Sequence, residues 1–268
     1  MSRKEQIGTT VSLILIGIVL SVFVDSPVRP LSIPGLLNPV FLSGRTLFVI
    51  ILIALACAGQ EIIIWSDSHT QEARRNNSFV HWILPAALTM AAALIFPRLT
   101  GLREQVAGLA VVGVFLAATM EGEYLLAQPG ANRCEWLPLL MDTFTYSIAF
   151  LLFALTLDAL KPSVGQALAI AAVTGVLSLR LFPPRRDGTR AWGVVGLGIP
   201  TALASAILPA LPLNVPSAAT LLVAIMYISV GLARAHLYAT LTRRVLTEYG
   251  LLLLATVFLI LTFSARMR

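Results

Sequence analysis

Nine stretches of this chain are apolar over about 18 residues or more, the length a helix needs to cross the roughly 30 Å hydrocarbon core of a bilayer. They lie near residues 7–24, 45–65, 79–97, 105–126, 138–160, 164–182, 191–209, 217–240 and 249–264. Lipid offers no partner to backbone N–H and C=O groups, so segments of this kind must close their hydrogen bonds internally as helices. The predicted fold is therefore an all-α polytopic bundle of eight or nine spans, the count turning on whether the short last segment crosses. Of the 268 residues 57% are hydrophobic and 12% charged, and the mean hydropathy is +0.87. That leaves no room for a sizeable soluble domain, so residues 1–268 are expected to form a single integral membrane domain.

Arg3 and Lys4 precede an apolar run from Val11 to Val24, the layout of a secretory signal. "VFVDSP" supplies no small-x-small cleavage site, and an uncleaved first helix is expected. Alternating spans from a cytoplasmic N-terminus place 12 of the 19 basic residues on the cytoplasmic side. The positive-inside rule favours that orientation; the "SARMR" tail is its dissent. The formal charge of +6 is spread over helix ends rather than massed on one face. The expected charged partner is accordingly the lipid bilayer surface, and no nucleic acid is expected.

Two outer linkers, Asp25 to Gly44 and Leu208 to Ser217, are rich in proline, which removes a backbone donor and disfavours helix before itself. Both are expected to be irregular or partly re-entrant caps. They open two similar runs, "NPVFLSGRTLFVIILIAL" and "NVPSAATLLVAIMYISV"; this is either a parallel duplication or chance likeness between apolar helices. Ala167, Ala171 and Gly175 on the sixth span, and Gly198, Ala202 and Ala206 on the seventh, recur every four residues. Such small-residue stripes let helix backbones approach, inside the bundle or against a partner chain. Pro200 predicts a kink in the seventh span.

The polar residues inside the apolar runs fall in one layer. Under the topology above Glu61, Glu121, Glu123, Asp142, Arg180, Arg234 and His236 all occupy the cytoplasmic third of their helices, with His69 and His81 in or beside the second cytoplasmic loop; charge costs less there than at the bilayer centre. Glu121 and Glu123 stand about 200° apart around a helix, so they face different surroundings. Glu121, about 3 Å deeper, is expected to point into the bundle. Glu123 is expected to point toward the loop or headgroups. Asp142, Thr145, Tyr146, Ala149 and Thr156 share a face of the fifth span, readable as the lining of a path or as hydroxyl bonds between helices. Glu61 and Arg234 stand at matching depth and are expected to pair.

No HExxH or HxxxH sets ligands on one helix face, and no GxSxG or P-loop appears. "VVGLGIPTA" lies inside a span, so helix packing accounts for its glycines. Cys57 and Cys134 lack the spacing of a zinc site. No catalytic residue, metal or cofactor is assigned.

From Val230 to Gly250 the sequence reads "VGLARAHLYATLTRRVLTEYG", with Leu237, Leu241 and Val245 every four residues and Arg243, Arg244 and Glu248 alongside. It is either a basic amphipathic helix at headgroup level, contacting lipid or a partner, or a charged connection before the last span. Together with "MEGEYLL" and "TYSIAFLLFAL" this segment resembles a bacterial family of multi-span membrane proteins to which no activity is assigned. The resemblance covers roughly the second half of the chain. It implies the bacterial cytoplasmic (inner) membrane and carries over no site residues.

The leading functional expectation is a non-enzymatic integral membrane subunit or scaffold, whose partners are other membrane protein subunits. The alternatives are a small-solute or proton-coupled transporter using Glu61, Glu121 and Asp142, and a membrane enzyme acting on lipid.

Overall fold

The computed structural model describes residues 2–24, 29–31, 40–66, 78–128, 136–182, 189–211, 213–237, 240 and 242–266. They form nine α-helices in two compact units, Met1–Met141 and Asp142–Arg268.

The first unit holds α1 (Arg3–Ser21), α2 (Gly44–Trp65), α3 (Ile83–Ile95) and α4 (Leu102–Ala127). A capping box starts α1: Ser2 Oγ accepts from the Glu5 amide and Glu5 returns a bond to the Ser2 amide. Ser43 caps α2 by accepting from the Thr46 amide at 3.1 Å, relieving a donor that no helical carbonyl reaches. A 3₁₀ turn, Ser78–Trp82, leads into α3. Part of the first proline-rich linker, expected to be irregular, forms a short antiparallel pair of β1 (Arg29–Leu31) with β2 (Val40–Leu42). Helix α1 packs on α2 and α4, and α2 packs on α3 and α4. The core is aliphatic, with Ile14, Ile63, Leu84, Leu116 and Met120 fully buried.

The second unit begins within α5 (Trp136–Ala159) and continues through α6 (Val164–Leu181), α7 (Thr189–Ile207), α8 (Val215–Leu237) and α9 (Arg243–Arg266). Its closest helix pair is α6 with α7, the two small-residue stripes. A methyl group added at Gly198 would lie 3.1 Å from the Ala171 carbonyl, so the two backbones approach closely at this glycine. Thr201 Oγ1 bonds Thr174 Oγ1 at 3.0 Å in the same buried seam. Pro200 sits within the continuous run of α7.

Among the described residues seven helices are long and apolar enough to cross a membrane: α1, α2, α3 with its flanking 3₁₀ turns, α4, α5, α6 and α8. The eight or nine spans expected take in α7 and α9 as well. The described apolar part of α7, Gly196–Ala210, is shorter than a span, and α9 opens on the charges Arg243, Arg244 and Glu248. Large side chains such as Val114 and Leu254 project outward, the surface that a lipid environment wants and water does not.

Candidate functional site: two polar helix ends

In the first unit Glu61, Glu121 and Glu123 meet their partners at one end, where α1 and α3 begin and α2 and α4 finish. The 3₁₀ turn before α3 sets His81 and Trp82 side by side in sequence yet aims them at different helices. His81 Nδ1 lies 2.8 Å from Glu123 Oε2 on α4, while Trp82 Nε1 donates to Glu61 Oε2 on α2 at 2.6 Å. Trp65, one turn beyond Glu61, donates its indole N–H to Oε1 of the same carboxylate.

Glu121 and Glu123 do diverge, but with the roles opposite to those expected. Glu123 is the buried acid, its side chain 1% exposed. Glu121 is about a third exposed and pairs with Arg3 Nη2 at 2.6 Å. Depth along the axis was the wrong criterion, because two residues differ by only about 3 Å in rise while they differ by half a turn in facing. Glu123 shares the buried face of α4 with Met120, Tyr124 and Ala127, and Glu121 faces the start of α1. There the Arg3 guanidinium also sits 4.5 Å from the centre of the Tyr124 ring, a cation–π distance. Beneath this layer Gln60, fully buried, donates from Nε2 to the Met120 carbonyl at 3.4 Å.

In the second unit one carboxylate meets two guanidinium groups. Asp142 accepts from Arg234 Nη2 at 3.1 Å and stands 3.7 Å from Arg180 Nη1. Arg234 also donates from Nε to the Leu181 carbonyl at 3.0 Å, closing an acceptor that the end of α6 leaves open and placing a cation at its negative pole. The geometry thus gathers Asp142, Arg180 and Arg234 from α5, α6 and α8. Both residues of the expected Glu61–Arg234 pair have partners inside their own units.

Next to this cluster three tyrosines meet edge to face: Tyr146 with Tyr227 at 5.4 Å and Tyr227 with Tyr249 at 6.2 Å between centroids. The Tyr249 hydroxyl rests on Gly231, where a methyl group would collide with it. On the stripe of α5, Thr145 and Ala149 are fully buried, and Thr156 satisfies its hydroxyl on the Leu152 carbonyl at 2.7 Å.

The remaining residues singled out in the sequence lie at the margin. His236 is exposed at the end of α8, and Arg243 is exposed at the start of α9. Arg244 and Glu248 pair at 3.0 Å along α9. The basic segment is not one amphipathic helix: α8 stops at Leu237 and α9 starts at Arg243, with Thr242 Oγ1 accepting from the Val245 amide. His69 and Cys134 fall outside the described residues. Among the described residues no three His, Cys, Asp or Glu side chains converge as a metal site.

Sequence alone missed Arg3, Trp65 and Trp82 as groups that hold the acids, and it placed His81 in their layer without assigning it to Glu123. Only Trp65, at i+4 from Glu61, carried a local signal.

Seven membrane-compatible helices, with their polar contacts gathered at helix ends, define a polytopic helical membrane protein. The chain belongs to the family of proteins of unknown function DUF5656, whose model matches residues 25–264. That match takes in most of the first unit as well as the second half where the resemblance was read. No curated protein and no solved structure matches the chain.

Proposed function

We propose that the protein is a non-enzymatic integral membrane subunit or scaffold of a larger assembly, seated in the bacterial inner membrane with its N-terminus in the cytoplasm. The observation that carries this reading is that each acid in the polar layers has donors from its own unit. Glu61 has two indoles, Glu121 has Arg3, Glu123 has His81 and Asp142 has two arginines. Carboxylates engaged in this way hold one helix end to another, and removing one partner of such a pair is costly where the pair is buried. Its test is isolation from the native membrane in mild detergent. A second membrane chain in fixed ratio is the expected result, and a lone chain under conditions that preserve known complexes contradicts it.

A second reading, a proton-coupled transporter, is favoured by one contact. Glu123 is buried against an imidazole, and histidine is the side chain whose charge changes most readily near neutral pH. Reconstituted in liposomes, the protein would then take up protons with a driving solute, and Glu123→Gln would abolish the uptake. Uptake indifferent to that substitution removes this reading.

A further inference from the structure

Three buried polar atoms in the first unit make no hydrogen bond to any described residue: Arg3 Nε, Gln6 Oε1 and Gln60 Oε1. Arg3 and Gln6 are one turn apart on α1 and share a face. Thr10, one turn further, lies against Gly59, the neighbour of Gln60 on α2. The other polar atoms of Arg3 and Gln60 reach the same short piece of α4. Gln60 Nε2 bonds the Met120 carbonyl at 3.4 Å, Arg3 Nη2 bonds Glu121 at 2.6 Å, and the Arg3 guanidinium covers Tyr124. The three residues thus stand on α1 and α2 on the side where these helices pack on each other and on α4.

The set is complementary to water. It offers one donor and two acceptors, and a water molecule gives two hydrogens and accepts one or two. The Gln60 amide has no freedom to remove the mismatch, since turning it over would set its oxygen against the Met120 carbonyl, acceptor to acceptor. Buried groups left without any bond are costly, and internal waters occupy sites with several such groups in reach.

We infer that this three-helix junction is an internal water-binding site, in which ordered water donates to Gln6 Oε1 and Gln60 Oε1 and accepts from Arg3 Nε. Its mouth is the Arg3–Glu121 pair, a third exposed at the end of the unit. The site hydrates the inner side of that pair and stands within a turn of Glu123 on α4. It holds whichever of the two functional readings is right.

Radiolytic hydroxyl-radical labelling of the purified protein tests it, because radicals formed from bound water mark the side chains beside it. Met120 and Met226 are both fully buried, one at the junction and one in the second unit. Sulfoxide should form at Met120 at least about tenfold faster than at Met226, and Tyr124 should be hydroxylated with it. Gln6→Leu or Gln60→Leu should bring Met120 down to the Met226 rate while leaving Met226 unchanged. Equal rates at the two methionines in the wild-type protein overturn the proposal, whether or not the variants fold.

Discussion

The two polar helix ends meet their carboxylates with different groups. In the first unit two indoles meet Glu61 and an imidazole meets Glu123. The second unit sets two guanidinium groups on the single carboxylate of Asp142 and uses a backbone carbonyl for the rest of Arg234. A carboxylate in a membrane helix is thus a weak pointer to a transport path until its donors are known. Apart from Trp65, four residues from Glu61, those donors lie far away in sequence.

The contrast predicts a graded response to losing a partner, measured by unfolding of the purified protein in detergent. His81→Leu should cost most, about 3–5 kcal/mol, because it leaves the Glu123 carboxylate buried without the imidazole. Asp142→Leu should cost somewhat less, about 2–4 kcal/mol: Arg180 is nearly buried, but Arg234 is a third exposed and keeps the Leu181 carbonyl. Gly198→Ala should cost about 1–3 kcal/mol, since the added methyl group meets backbone that cannot turn away. Glu121→Gln removes a part-exposed pair and should cost under about 1 kcal/mol. Arg244→Ala, at a fully solvated i,i+4 pair, should fall near about 0.3 kcal/mol. A first unit as tolerant at His81 as at Glu121 would erase the distinction between buried and rim acids.

Much of the fold was legible because apolar length is a direct physical requirement of the bilayer. Among the described residues seven helices meet that requirement. The stripes Ala171 and Gly198 were legible for the same kind of reason: small residues at helical period leave nothing else for the backbones to do but approach. Asp142, Arg180 and Arg234 were legible only as charges in one layer; the pairing expected from depth, Glu61 with Arg234, was not the one that forms. The hidden part was direction. Helical pitch separates Glu121 from Glu123 but does not say which one faces in, and that was settled by a 3₁₀ turn whose His81 carries no span-level signal. Trp65 and Trp82 were hidden differently, since an indole reads as apolar in any hydropathy sum while its N–H serves as a donor.

The central claim is that the paired acids fasten helices rather than line a solute path. It is tested most directly by a double-mutant cycle on Asp142→Asn and Arg234→Gln, with unfolding and proton flux in liposomes measured on all four proteins. The account predicts a coupling of about 2 kcal/mol or more between the two substitutions, with flux the same in all four. Additive, near-neutral effects on stability together with loss of proton flux in the single variants would contradict it.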